Sequence, residues 1–194
     1  MDDAFEPLSP LRIEYLKSCI KWTVACGERE GGDPHLHGRL GHCLWAEGKT
    51  KEAISHFVAG EAPETINQKL SDSHSGNGAE QLLARDRSLV VAVLSFLAVE
   101  NMRDANELMC LFKRTQRLKG AATESNLITF LDQLLQTCRR DAQTLFKTLV
   151  NKNTSRLDFD PAVEAMLMGP IGQRFFKIEP KVNPMMAMMQ QLLN

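Results

Sequence analysis

Apolar side chains recur along this chain at three- and four-residue intervals, the period of one face of an α-helix. Leu11, Tyr15, Cys19, Trp22 and Cys26 keep that period up to Gly27, which predicts a first helix over 10–26 with Ser9 as cap and Pro10 at its first position. Gly31-Gly32 predicts a loop. Asp33-Pro34 repeats the cap-then-proline signal and opens a second helix that runs to Glu47, where Gly48 is free to take the left-handed stop. Thr50 caps a third helix carrying Ala53, Ile54, Phe57 and Val58, with Gly60 and Pro63 marking its end. Ser71 to Gly78 (SDSHSGNG) consists of turn-forming residues, and the main flexible break is expected there. Helices follow over 80–99, apolar nearly all round, then 103–118, 123–138 and 141–150. Asn151 to Ser155 reads as a polar loop. Asp160-Pro161 reopens a helix, Gly169-Pro170 interrupts it, and Pro180 and Pro184 bracket a linker ahead of MMAMMQQLLN. No stretch alternates with the two-residue period of a strand, so the fold class is all-α.

Composition narrows this reading. Hydrophobic residues make up 43% of 194, charged residues 24%, and Leu, Ala and Met are abundant, which suits packed helices in one domain over 1–194. Within it, 10–70 holds the first helical pairs, 79–180 the later pairs and 181–194 a Met-rich tail. With 23 basic and 24 acidic residues the net charge is -1, which provides no field to select nucleic acid or an anionic membrane. Cys19, Cys26, Cys43, Cys110 and Cys138 form an odd set without a C-x-x-C pair, predicting reduced thiols and an intracellular setting. The start MDDAFEPLSP has neither the basic nor the apolar region of a secretory signal, and the longest apolar stretch, Leu89 to Val99, is too short to cross a bilayer.

The candidate chemistry is sparse. His35, His37, His42 and Cys43 are ligand types that zinc prefers, but their spacing sends the side chains different ways, and no further Cys/His pair completes a set of four. Their expected role is packing, with His42 and His56 between helices. Gly48-Lys49-Thr50 copies the end of a phosphate-binding loop, yet the upstream glycine is replaced by Cys43 and a helix precedes it where a strand is required, so it reads as a turn. No nucleophile, base and orienting group are marked, so no catalytic residue, metal or cofactor is expected. Lys113 to Lys119 is a basic run at a helix end, favoured there by the helix dipole, with an acidic-partner patch as the alternative. Asn153-Thr154-Ser155 fits a glycosylation sequon that no secretory signal would deliver. Phe175, Phe176 and Ile178 beside Pro180 either close the last helical pair or anchor a partner. Met185, Met186, Met188 and Met189 give the tail a soft apolar face.

Leu40-Gly41, Leu44, Ala53, Phe57 and Gly60 match the spacing of a tetratricopeptide unit, with Gly41 and Ala53 where two helices approach closely and Phe57 filling the gap; His37 stands where that repeat carries an aromatic. The expected architecture is an α-solenoid of tetratricopeptide-like helical hairpins. The order of segments resembles the Golgi to ER traffic protein 4 family. The carriers are Ser9-Pro10, Ile20-Lys21-Trp22, Asp33-Pro34-His35-Leu36-His37, Leu44-Trp45-Ala46-Glu47-Gly48 with Ser55-His56-Phe57, Asp160-Pro161, Ile171 to Pro180 (IGQRFFKIEP), and Gln190-Gln191-Leu192-Leu193. The resemblance implies a non-enzymatic cytosolic scaffold for targeting tail-anchored membrane proteins to the endoplasmic reticulum. It implies that the chain begins where the family's second half begins, without the first helices that dock a targeting ATPase. It implies docking of a ubiquitin-like-domain cochaperone on the C-terminal helices, at Leu157, Phe159, Phe175, Phe176 and Ile178, and it leaves open a large BAG-domain chaperone as a further partner. The alternative is a general tetratricopeptide-like peptide-binding adaptor; an enzyme using the His35 to Cys43 cluster is a second competitor.

Overall fold

Aspartate followed by proline starts a helix because the carboxylate satisfies amide donors that have no intrahelical partner, while proline, which has no amide hydrogen, arrives with its φ already helical. This chain uses the device twice. Asp33 Oδ1 accepts from the amides of His35 (2.7 Å) and Leu36 (3.4 Å), and Asp160 Oδ1 accepts from that of Ala162 at 3.0 Å. The structure, a computed structural model, describes residues 10–27, 29–73, 78–118 and 125–178. In chain order its helices are α1 (Pro10–Cys26), α2 (Pro34–Ala46), α3 (Thr50–Ala59), α4 (Pro63–Ser73), α5 (Ala79–Ala98), α6 (Met102–Leu118), α7 (Asn126–Arg139), α8 (Gln143–Leu157) and α9 (Pro161–Met166). A π-helical turn over Leu167–Ile171 then leads into α10 (Gly172–Phe176).

Successive helices fold back on one another as hairpins. α1 packs on α2 and α2 on α3; α4 lies against both α5 and α6. The spine is α5, which touches α3, α4, α6, α7, α9 and the π turn. Its all-round apolar sequence is explained by that position: Leu89, Val90, Ala92, Val93, Leu94, Phe96 and Leu97 are all buried in one continuous core. The hairpin succession bears out the all-α, tetratricopeptide-like solenoid.

The repeat-like unit has the geometry its spacing predicted. A Cβ on Gly41 would lie 2.6 Å from Cε1 of Phe57, so only glycine lets the Phe57 ring, fully buried, press against the α2 backbone. Gly48 stops α2 at φ 78 as expected.

Four sequence expectations need correction. Pro63 does not merely end α3; it is the buried first residue of α4, which continues into the Ser71 to Gly78 stretch as far as Ser73. Thr50 is the first helical residue, and the capping position belongs to Lys49, which makes no side-chain cap bond. Asn151 to Ser155 is no loop. α8 runs through it because the Asn153 amide donates to Leu149 O (2.9 Å) and the Thr154 hydroxyl to Val150 O (3.1 Å), so their polar groups are satisfied within the helix and Leu157 still reaches the core. On α1 the face turned to the core is Ile13, Leu16 and Ile20; of the more conspicuous stripe, Leu11 (62%), Trp22 (66%) and Cys26 are exposed, while Tyr15 and Cys19 are half-buried. The Met-rich tail, Ser9 and Pro180 lie outside the described residues.

Candidate functional site

The histidines are divided by the geometry of α2. His35 and His42 are exposed; Cys43 and His37 are buried. His37 Nε2 lies 2.8 Å from the Gly31 carbonyl oxygen, and its Nδ1 lies 2.9 Å from Nδ1 of His56 on α3. A carbonyl can only accept, so Nε2 of His37 carries the proton, its Nδ1 is the acceptor, and His56 Nδ1–H donates to it. Both ring nitrogens of His37 are therefore committed to ordering the α1–α2 loop and the α2–α3 contact. Burial, chiefly, with unfavourable electrostatic coupling to His37 and to Lys17, lowers the His56 pKa. His42, though exposed, packs edge-on against Phe57 of α3 with ring centroids 5.3 Å apart, so it lies at the rim of the α2–α3 contact. No group of three or more His, Cys, Asp or Glu side chains is placed to hold a metal among the described residues.

Gly48-Lys49-Thr50 is the turn between α2 and α3, and Lys49 is engaged by Glu47 at 2.9 Å. Burial pushes the Cys138 thiol up to about 12, so it stays protonated and inert near neutral pH.

The residues singled out near the C-terminus fall into two sets. Leu157, the last residue of α8, and Phe176 are buried, and the Phe176 ring stacks on Phe146 with centroids 4.3 Å apart. Phe175, whose ring centroid is 6.4 Å from that of Phe176, and Ile178 are half-buried, and so is Phe159, beneath the Arg87 guanidinium at 5.2 Å from the ring centroid. α10 is fixed in place by Arg174, whose Nη1 donates to the Ala98 carbonyl at the end of α5 at 2.7 Å. Lys177 takes a left-handed conformation (φ 51), returning Ile178 N to the Gly172 carbonyl at 3.0 Å. The structure thus gathers Phe175, Phe176 and Ile178 near the start of α8 but leaves Leu157 and Phe159 at its other end, about 16 Å away at 1.5 Å per residue; Phe159, Phe175 and Ile178 keep surface to offer, and Leu157 and Phe176 are buried.

Sequence reasoning missed two further features. Arg85 and Asp86 form a buried ion pair on α5 (2.9 Å), completed by Gln116 Oε1 at 2.6 Å and by the Phe112 ring 5.0 Å from the guanidinium. The signal was available: adjacent opposite charges inside the most apolar helix of the chain. Lys51 Nζ meets Asp160 Oδ2 at 2.7 Å, tying α3 to the start of α9 across more than half the sequence, a pairing with no local signature.

The family model described as Golgi to ER traffic protein 4 matches residues 2–193. Protein GET4 of Arabidopsis thaliana is 33% identical over 180 residues, covering 90% of this chain and 53% of that protein. Golgi to ER traffic protein 4 homolog B of Xenopus laevis is 29% identical over 178 residues, covering 91% and 54% respectively. The chain therefore spans about half the length of the curated relatives it matches. Among solved structures, the crystal structure of C. therm. Get4 superposes with a TM-score of 0.76 at 25% identity, covering all of this chain (100%) and 66% of the other.

Proposed function

The chain belongs to the Golgi to ER traffic protein 4 family, and from that membership we propose that it is a non-enzymatic cytosolic scaffold in the targeting of tail-anchored membrane proteins to the endoplasmic reticulum. Its role is to hold partners together. A ubiquitin-like-domain cochaperone docks an apolar helix or strand along the face formed by α8 to α10, with Phe175 and Ile178 offering apolar surface by the buried Phe176 near the start of α8 and Phe159 offering it at the other end, two residues beyond the buried Leu157. The observation that carries this reading is the aromatic pair Phe175-Phe176 presented on a short helix that Arg174 bonds to the end of α5, so that half-buried apolar surface is offered by a folded element. No helix among the described residues is long and apolar enough to cross a membrane, which fits handling membrane proteins without being one.

Co-purification with the ubiquitin-like-domain cochaperone and, separately, with the targeting ATPase of the same organism tests the proposal. The expected result is stable capture of the cochaperone, lost in a Phe175→Asp/Ile178→Asp variant whose helix content and melting temperature stay near those of the parent. Capture of neither partner overturns it in favour of a general peptide-binding adaptor. Capture of the ATPase alone would move the docking function to the α1 end.

A further inference from the structure

α7 and α8 are joined by three residues, run antiparallel and leave between them a hollow of about 260 Å³ on the outside of the stack. Thr137 and Leu149 form a buried floor; Leu145, 55% exposed, stands over it; Gln133, Gln136 and Thr148 supply neutral hydrogen-bonding groups; Arg140 and Lys152 are the charged members. No carboxylate lines the hollow. The whole of α8, Gln143–Leu157, carries Lys147, Lys152 and Arg156 and no acidic residue, in a chain whose total charge is -1. Among the described residues neither Arg140 nor Lys152 makes a side-chain ion pair, whereas the nearby Lys113 is bonded to Asp132.

We propose that this hollow is a docking groove for an acidic amphipathic helix of another protein, with an apolar side chain seated on Leu145 and Leu149 and carboxylates at both ends facing Arg140 and Lys152. The proposal rests on the charge and shape of the groove and is independent of the family reading. Two antiparallel helices present a furrow that a third helix fills by ridge-into-groove packing, and α7 and α8, at 14 and 15 residues, are each about 22 Å long. Arg140 lies at the loop end of the furrow. Lys152 stands about 15 Å along α8 from that end at 1.5 Å per residue, with Leu145 and Leu149 in between. The complementary helix therefore places acidic residues about ten positions, or three turns, apart, with leucine-like residues between them at positions that share a face. Nucleic acid fits less well: the lining contains no aromatic ring on which a base could stack. Paired cations with neutral amides between them steer a partner and fix its register, while the apolar contact supplies most of the affinity.

The test is fluorescence anisotropy of the full chain with a labelled helical 16-residue peptide bearing Leu at the central facing positions and Glu about ten residues apart, beside an otherwise identical peptide with Lys at those two positions. The expected result is binding of the acidic peptide, at least about tenfold weaker for the lysine peptide and for Arg140→Glu/Lys152→Glu, and weakened by raising salt from about 50 to about 300 mM. Leu145→Asp is expected to weaken it as strongly. All three positions are exposed, and an unchanged melting temperature separates lost binding from lost folding. Equal binding of both peptides, or binding indifferent to the charge reversal, overturns the proposal. So does displacement of the peptide by a single-stranded RNA, which would make the groove a general anion surface. Concentration-dependent self-association abolished by Arg140→Glu and by removing residues 1–9, which carry Asp2, Asp3 and Glu6 among apolar residues, would give the groove to a second copy of the chain and likewise overturn it.

Discussion

The α2–α3 hairpin and the α8–α10 end are both glycine-dependent and both aromatic, yet they are held together over very different distances in sequence. In the hairpin, Gly41 and Phe57 meet sixteen positions apart, and the cap, the turn glycine and the filler all fall within one repeat-length stretch. At the C-terminal end a Cβ on Gly172 would meet the Leu167 carbonyl oxygen at 2.9 Å, Phe176 stacks on Phe146, Arg174 reaches back to Ala98 and Asp160 to Lys51. The first region is a local solution that neighbours in sequence complete. The second is assembled from contacts that exist only after α3, α5 and α8 are in place. Local stability is therefore expected to be higher in the hairpin, and the C-terminal end is expected to open first.

The largest effect that would break this comparison comes from the Phe57 ring. Phe57→Ala removes a fully buried phenyl group and is expected to cost about 3–5 kcal/mol in urea unfolding, whereas Phe176→Ala, near the end of the stack, should fall toward the lower end of that range. Hydrogen exchange should separate the two: Phe57→Ala raises exchange throughout, Phe176→Ala mainly in α8 to α10. Equal, global loss in both would mean that the two regions form one cooperative unit. Next comes Gly41→Ala, which forces a methyl against a ring that has no free volume to enter. A loss of about 1–3 kcal/mol is expected, and because the clash is with that one ring, Gly41→Ala combined with Phe57→Leu should cost less than the sum of the single changes. Strict additivity would contradict the contact.

The same contrast accounts for what could be read without coordinates. Helix starts at Pro34 and Pro161 were legible because proline and a preceding cap act within three residues, and Gly41 with Phe57 because the repeat sets their spacing. The continuation of α8 through Asn151 to Ser155 was not: turn-forming residues suggest a loop, and only the bonds from Asn153 and Thr154 to carbonyls one turn earlier show that the helix wins. On α1, periodicity revealed a stripe but not its direction. Leu11 and Trp22 keep helical spacing as faithfully as Ile13, Leu16 and Ile20, and which set is buried depends on where α2 lies. Of the residues named for partner docking, sequence separated neither Leu157 and Phe176, which are buried, from Phe159, Phe175 and Ile178, which keep surface, nor suggested the α7–α8 groove, whose members come from two helices and are individually unremarkable.

A smaller effect is expected at the contact that closes the C-terminal end. Asp160→Ala removes both the cap on Ala162 N and the partner of Lys51, and should cost about 1 kcal/mol, most of it from the cap because Lys51 is well exposed and its ion pair is screened. Lys51→Ala should therefore cost much less than Asp160→Ala. The Lys51 bond, followed by that of the Ala162 amide, lowers the Asp160 pKa, so this stabilisation is complete above the ordinary carboxylate value and disappears as pH falls through the lowered one. Comparable losses from the two substitutions would show that the long-range ion pair, and not the local cap, holds α9 in place.

The smallest expected effect lies back in the hairpin and has the opposite chemistry. Burial, then electrostatic coupling to His37 and Lys17, lowers the His56 pKa, with Glu52 opposing, so the unfolded chain binds a proton more readily than the folded one. Stability contributed by the neutral pair is thus fully present above about pH 6.5, the unfolded value, and declines as pH falls from there toward the lowered folded value. The His42 pKa is lowered too, by burial and by Lys69, and adds to the slope in the same direction. The effect is modest because His56 is only half-buried. His56→Asn should flatten the decline in melting temperature between about pH 7 and pH 5 without abolishing it, since His42 still titrates. An unchanged slope would mean that the 2.9 Å contact between the two Nδ1 atoms has no bearing on how tightly α2 and α3 pair.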